Sequence, residues 1–170
     1  MPKRVVIADA GPLIGLARIG QLALLPRLFG TVTVTSWVRQ EVLAGGDFPD
    51  TRALQEAFSQ SWLQMVDITG NQDLINLHQI DMGEATAITL AQQLHSVGDL
   101  VLLLMDDQRG RQAAQHSGFT TMGTAGLLVL AKKAGAIEAV KPLLQALHQK
   151  GYFLSQRLMD AVLIQADEAL

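Results

Sequence analysis

Carboxylate side chains follow two apolar runs of the sequence that read as buried strands. Residues 5–8 (Val-Val-Ile-Ala) end at Asp9, and the continuously apolar run Leu100–Met105 ends at Asp106 and Asp107. In an open parallel sheet, ligands bind beyond the carboxyl ends of the strands, near the point where the strand order reverses. We therefore expect acids from two separate strands to meet at one edge of a sheet.

Asp9 also has an ordinary alternative role as a turn or helix-capping residue. Pro12 would sit at the first position of the following helix, which would place the N-cap at Gly11. Capping is therefore a weaker explanation than usual for Asp9, and a functional role is favoured.

The aspartate pair has a similar alternative, because one of the two could cap the helix that begins near Arg109. Two adjacent carboxylates repel each other, however, and are easier to hold at a strand end beside a cation. Asp106 is the stronger candidate for a functional role, and Asp107 is a supporting or capping residue.

Two glutamates on predicted helices are further candidates. Glu41 opposes the helix dipole in the last turn of a short helix, and it follows Trp37 and Val38 on or beside their apolar stripe. A solvated position at the margin of that stripe is an equal alternative. Glu84 lies on the core-facing stripe of its helix, but Asp81 three residues earlier also gives the pattern of a capping box. Spacing does not separate these two roles.

Asp9, Glu41, Glu84 and Asp106 could converge on one pocket. Four carboxylates that close could not all stay ionised without compensation, which divalent cations with oxygen ligands supply. Mg²⁺ and Mn²⁺ suit sites made of carboxylates, whereas zinc more often recruits histidine or cysteine. Two such cations can hold a scissile phosphate, activate a water and stabilise the leaving oxygen, so the predicted chemistry is phosphodiester hydrolysis.

Short β-rich runs alternate with longer helical patterns along the chain. The predicted strands are Arg4–Ala8, Thr31–Thr35, Trp62–Ile68, Leu100–Met105 and Phe119–Met122. The predicted helices are Pro12–Arg18, Leu22–Phe29, Ser36–Leu43, Thr51–Ser59, Asp73–Leu77, Gly83–His95, Arg109–His116, Thr124–Ala134, Lys141–Lys150 and Gln156–Ala166. This alternation predicts an α/β fold, with a parallel sheet of about five strands covered by helices on both faces and a helical tail over residues 135–170.

The composition fits a soluble protein with one domain spanning residues 1–170, because 49% of the residues are apolar and 17% are charged. The absence of cysteine excludes disulfides and thiolate metal sites and fits a cytoplasmic location. No apolar run is long enough for a membrane span. The net charge of −3 argues against strong non-specific binding to nucleic acid, so any such contact must be local, metal-assisted or shared with a partner.

The sequence resembles PIN-domain proteins, and more narrowly a PIN-like subfamily of small bacterial and archaeal proteins. The matching stretches span nearly the whole chain and are IADAGPLIGLARIG, VTVTSWVRQEV, MGEATAITLA, LLLMDDQRGRQAA and GTAGLLVLAKKAG. The resemblance implies a three-layer α/β/α fold and a ribonuclease site that depends on Mg²⁺ or Mn²⁺.

The resemblance also implies roles for individual residues. Asp9 matches the acid after the first strand, Glu41 matches the helix glutamate, and Glu84 stands where many relatives have an aspartate. Asp106 or Asp107 matches the acid after the fourth strand. We therefore expect Asp9, Glu41, Glu84 and Asp106 to be catalytic and to bind metal, with Asp107 as a further metal ligand.

Three more side chains could take part at this site. Thr124 occupies a position where relatives often carry a hydroxyl or acidic group near the metal, although a helix cap for the following segment is at least as good an interpretation. Arg109 and Arg111 flank the predicted pocket and could contact phosphate. A solvated helix face is the alternative, and it is favoured for Arg111.

Many proteins of this kind resemble the toxin half of VapBC-type toxin–antitoxin pairs. That likeness implies an RNA substrate, a small antitoxin protein that masks the acidic pocket, and a homodimer. The alternative is a PIN-like protein with weak or no catalysis that acts by binding a protein or RNA without cutting.

Overall fold

A computed structural model describes residues 1–46 and 48–170 and contains a five-stranded parallel sheet. The strands are β1 (Arg4–Ala8), β2 (Val32–Thr35), β3 (Leu63–Val66), β4 (Leu100–Leu104) and β5 (Thr120–Met122). Their order across the sheet is β3-β2-β1-β4-β5, and each neighbouring pair is parallel. The order reverses between β1 and β4, which places the switch point between the first and fourth strands.

Helices connect the strands, as the alternating pattern predicted. They are α1 (Ala10–Arg18), α2 (Leu24–Phe29), α3 (Ser36–Leu43), α4 (Pro49–Phe58), α5 (Gln72–His78), α6 (Met82–Ser96), α7 (Gln108–His116), α8 (Thr124–Lys133), α9 (Lys141–Gln149) and α10 (Gln156–Gln165). Among the described residues, no helix combines the length and the apolar character that crossing a membrane requires.

Successive residues of the central strands face two different hydrophobic cores. Ala8 and Leu104 are fully buried in one core, which also contains residues of α1 to α4 and α8 to α10. Ile7 and Leu103 are fully buried in the other core, which contains residues of α5, α6 and α7. Because strand side chains alternate between faces, a strand that is covered on both sides is apolar throughout. The predicted three-layer α/β/α architecture is confirmed.

Glu168, near the C-terminal end of the chain, hydrogen bonds to the start of α9. Its carboxylate accepts hydrogen bonds from the backbone N–H groups of Val140 and Lys141 at 2.7 and 3.0 Å, and from the Lys132 ammonium at 3.1 Å. Desolvation alone would raise the pKa of Glu168, but these donors outweigh it and hold the pKa below its usual value. The ionised form is therefore favoured by folding.

Glu168→Gln is expected to lower the free energy of unfolding by about 1–2 kcal/mol at neutral pH, because the amide accepts through one oxygen and carries no charge. The difference should shrink as the pH falls below about 4.5, since a carboxyl group with a depressed pKa loses its contribution when it is protonated. Chemical denaturation of both proteins at several pH values measures it. The exposed Glu138→Gln is the matched control, and equal effects of the two substitutions would contradict this role of Glu168.

Candidate functional site

The carboxyl ends of β1 and β4 lie side by side at the switch point of the sheet. The backbone N–H of Asp9 donates to the carbonyl oxygen of Leu104 at 2.9 Å, which ties the two strand ends together. Asp106 follows β4 after one intervening residue, and a β-carbon built at Gly11 would lie 3.4 Å from its Oδ2 atom. The two strand-end acids therefore occupy the same edge of the sheet, next to the start of α1.

Asp9 is a buried carboxylate with an unsatisfied oxygen. Its residue surface is 6% exposed, and its Oδ1 atom has no hydrogen-bond partner within the described part of the chain. Burial raises the pKa of Asp9 well above its usual value, the backbone N–H of Ala10 opposes this, and the charges of Glu84, Asp81 and Glu41 raise it further. A buried acid of this kind is costly unless a cation compensates it.

The start of α1 differs from the prediction based on Pro12. The helix begins at Ala10, and Asp9 rather than Gly11 occupies the N-cap position, although the Asp9 side chain makes no capping hydrogen bond. The expected N-cap at Gly11 was wrong because N–H groups in the first turn of a helix have no intrahelical partner, so proline is tolerated throughout that turn. Asp9 thus lies at the positive end of α1 without capping it.

Glu84 caps its helix and lies among the other acids at the same time. Both bonds of the predicted capping box are present: the Glu84 N–H donates to Asp81 at 2.8 Å, and the Asp81 N–H donates to Glu84 at 3.0 Å. Burial raises the pKa of Glu84 to about 7, with the backbone N–H of Asp81 opposing it and the carboxylates of Asp81 and Asp107 adding to it. Glu84 therefore caps α6 and also interacts electrostatically with the other acids of the site.

Asp107 has the capping role that was considered for one member of the aspartate pair. It is the N-cap of α7, and its Oδ2 atom accepts a hydrogen bond from the Gly110 N–H at 3.1 Å. Although exposed, Asp107 lies near enough to Glu84 to raise the pKa of that carboxyl group. Asp107 therefore lies beside the buried acids and not among them.

Glu41 and Asp81 meet over Gly83 at the start of α6. A β-carbon at Gly83 would lie 3.2 Å from Oε2 of Glu41 and 3.3 Å from Oδ1 of Asp81. Partial burial, followed by the Asp81 charge, raises the pKa of Glu41, although the residue as a whole is exposed. Sequence reasoning treated Asp81 only as a cap. Its position one turn before Glu84, which places both carboxylates at the same helix end, was the signal that it also belongs to the site.

Asp106 is held by two residues from later in the chain. Its Oδ1 atom accepts a hydrogen bond from the Thr124 N–H at 2.7 Å, and its Oδ2 atom accepts from the Thr124 hydroxyl at 2.6 Å and from the Tyr152 phenol. Thr124 is fully buried and is the first residue of α8, whose N-cap is Gly123, so the capping interpretation of Thr124 was wrong. Its hydroxyl is instead directed to the Asp106 carboxylate. Sequence reasoning missed Tyr152.

The two arginines of α7 differ in their surroundings. Arg109 is exposed, whereas Arg111 is partly buried. A β-carbon at Gly123 would lie 2.8 Å from Nη1 of Arg111 and 2.9 Å from Oδ1 of Asp106, so the guanidinium and this carboxylate share the same small space. A solvated position therefore describes Arg109 better than Arg111, contrary to the preference drawn from the sequence.

We call Asp9, Glu41, Asp81, Glu84 and Asp106 the acidic cluster. Among the described residues, no three acidic or histidine side chains are grouped closely enough to hold a metal ion as they stand. The side-chain directions explain this, because Asp106 is directed to Thr124 and Tyr152, and Glu84 to the Asp81 backbone. The donor set still fits a divalent cation. It consists of carboxylates and includes the Oδ1 atom of Asp9, for which the described residues supply no hydrogen-bond partner.

Glu84→Gln is expected to stabilise the protein by about 1–2 kcal/mol at about pH 8 in the presence of a chelator. A carboxyl group with a raised pKa contributes its stability below the unfolded pKa and loses it as the pH rises through the folded value of about 7. Glutamine keeps the capping box without the charge. Denaturation curves at about pH 4 and pH 8 test this, with the exposed Glu56→Gln as the matched control. A destabilised variant at the higher pH would contradict the raised pKa.

Comparison with protein families matches almost the whole chain to one family. The model of the family described as DUF3368, PIN domain, matches residues 5–168 and so includes all five residues of the acidic cluster. A comparison with curated proteins found no match. PIN domains are typically nucleases and generally use divalent metals. With the parallel five-stranded sheet in agreement, the chain belongs to the PIN-domain family.

Proposed function

We propose that this protein is a divalent-metal-dependent endoribonuclease whose site is the acidic cluster. The observation that carries the proposal is the buried Oδ1 atom of Asp9. It has no hydrogen-bond partner among residues 1–46 and 48–170, and Glu41, Asp81 and Glu84 add negative charge around it. A buried carboxylate without a compensating charge destabilises the folded protein by itself. Its presence at the switch point of the sheet therefore supports a binding role for Asp9.

The residues divide by position into ligands and supporting groups. Asp9 and Asp106, from neighbouring strands, would hold Mg²⁺ or Mn²⁺, with Glu41 and Glu84 as further ligands and Asp107 beside them. When bound, such ions hold the scissile phosphate, lower the pKa of the attacking water and stabilise the leaving oxygen.

Glu84 is suited to a second task, which is to accept a proton from the attacking water. Its buried carboxylate lies at the start of α6 beside Asp81, within the acidic cluster, where a bound cation would favour the ionised form that accepts a proton. The Arg111 guanidinium lies beside the Asp106 carboxylate and could pair with a phosphate oxygen. Arg109, being exposed, could contact the RNA backbone further out.

We further propose that the protein is the toxin of a VapBC-like pair, that a small antitoxin protein covers the acidic cluster, and that two toxin chains form a homodimer. The net charge of −3 supports a role for partners, because an acidic chain cannot bind RNA by general neutralisation of the phosphate charges. Co-expression with a protein encoded by a neighbouring gene tests this step, and relief of growth inhibition with co-purification is the expected result.

The ribonuclease proposal is tested by incubating the protein with a mixed RNA pool. Cleavage is expected with Mg²⁺ or Mn²⁺ and none with a chelator. Asp99→Asn serves as the matched control for Asp9→Asn, since Asp99 precedes β4 at the opposite edge of the sheet, where it accepts a hydrogen bond from the Lys3 N–H. If wild-type protein neither cleaves RNA nor binds Mn²⁺, the alternative of a non-catalytic binding protein is favoured.

A further inference from the structure

Tyr152 reaches the acidic cluster from the C-terminal helical tail. It lies between α9 and α10, and its backbone N–H donates to the carbonyl oxygen of Leu147 at 3.0 Å. Its ring packs on α1, where a β-carbon at Gly15 would lie 3.1 Å from the ring atom Cε2, and one at Gly11 would lie 3.4 Å from the phenol oxygen. Glycine at these positions lets the ring approach the helix backbone, so the phenol is held on the side of Asp106.

The phenol completes the set of donors around Asp106. Oδ2 accepts from the Tyr152 and Thr124 hydroxyls, and Oδ1 accepts from the Thr124 N–H. Each carboxylate oxygen offers about two acceptor positions. The described residues therefore fill both positions on Oδ2 and leave one position on Oδ1. Tyr152 and Thr124 together fix the rotation of the carboxylate and leave one direction in which it can bind an ion.

We propose that Tyr152 is a positioning residue for Asp106, through which the C-terminal tail sets the affinity of the acidic cluster for a divalent cation. This inference rests on the proposed function. A hydrogen bond to a metal-ligating carboxylate fixes the ligand before the ion arrives, and loss of such a partner costs about 10- to 100-fold in metal affinity or activity.

Mn²⁺ titration of the full-length chain by calorimetry tests the proposal. Tyr152→Phe keeps the ring on Gly15 and removes only the hydroxyl, so it should weaken Mn²⁺ binding about 10-fold or more while folding normally. Phe153→Leu is the matched control, because Phe153 is the next residue and its side chain is exposed. This control should bind Mn²⁺ as the wild type does.

A spectroscopic readout does not require replacing Tyr152 by another residue type. Tyr152 is the single tyrosine of the chain, so fluorotyrosine labelling gives one fluorine resonance for the native protein. Substoichiometric Mn²⁺ should broaden that resonance, and the broadening should be lost in labelled Asp9→Asn. If Tyr152→Phe unfolds at the assay temperature, this measurement still tests the proposal, because a resonance that Mn²⁺ leaves unchanged would place the ion away from Asp106 and would overturn it.

The outcomes separate this inference from the proposed function. Equal Mn²⁺ affinity in wild type and Tyr152→Phe, with binding that still requires Asp9, overturns the positioning role and leaves the ribonuclease proposal standing. Tighter binding by Tyr152→Phe also overturns it, since the phenol would then compete with the ion for Asp106. If the wild-type protein neither binds Mn²⁺ nor cleaves RNA, both the positioning role of Tyr152 and the proposed ribonuclease function are overturned.

Discussion

Asp9→Asn should reduce metal-dependent RNA cleavage by roughly 100-fold or more, the scale on which loss of one preorganised charged group acts in the transition state. Asp9 supplies a carboxylate at the switch point, and its Oδ1 atom has no other described partner. Asparagine keeps the size and one acceptor oxygen but not the charge. Cleavage rates at saturating Mn²⁺ measure the effect, and Asp99→Asn should cleave at the wild-type rate.

The same substitution should stabilise the protein when divalent ions are absent. Because burial raises the pKa of Asp9, its contribution to stability is present below the unfolded pKa and is lost as the pH rises through the folded value. At about pH 8 in a chelator, Asp9→Asn should therefore have a higher free energy of unfolding than the wild type. A variant that both cleaves normally and loses stability would contradict the role given to Asp9.

Mn²⁺ should raise the unfolding temperature of the wild-type protein substantially. A ligand at about 100 times its Kd stabilises the folded state by about 2.7 kcal/mol. For a chain of this length that corresponds to about 5–10 °C. The shift should be smaller at about pH 5, because raised pKa values let Asp9, Glu41 and Glu84 keep protons that compete with the ion.

Thermal unfolding with and without Mn²⁺ measures this shift at both pH values. Asp9→Asn should lose most of it, whereas Asp99→Asn should retain it. If Mn²⁺ stabilises Asp9→Asn as much as the wild type, or equally at both pH values, the ion binds elsewhere on the protein and the account of the acidic cluster fails.

The fold could be predicted from the sequence because its signals are local. The apolar runs ending at Ala8 and Leu104 are covered on both faces of the sheet, and such strands are continuously apolar. The position of Asp9 and Asp106 follows from the same argument, since parallel strands that are adjacent in the sheet end at the same edge. The capping box of Asp81 and Glu84 could also be read directly from spacing.

Other features of the site depend on distant parts of the chain and left no local pattern. Tyr152 lies 46 residues from Asp106 in sequence, and nothing in its neighbourhood marks it as a hydrogen-bond donor to that carboxylate. The direction of the Thr124 hydroxyl could not be predicted from the sequence either, because a threonine at a helix start is ordinarily a cap. The start of α1 predicted from Pro12 was wrong, because proline marks the first turn of a helix and not one position within that turn.

The most direct test of the acidic cluster as a cation site is an anomalous difference map from crystals of this protein soaked in Mn²⁺. We predict a peak in contact with Oδ1 of Asp9 and with the carboxylate of Asp106, and no such peak in Asp9→Asn crystals. Mn²⁺ found only away from these carboxylates, or none at all under conditions that support RNA cleavage, would contradict the account.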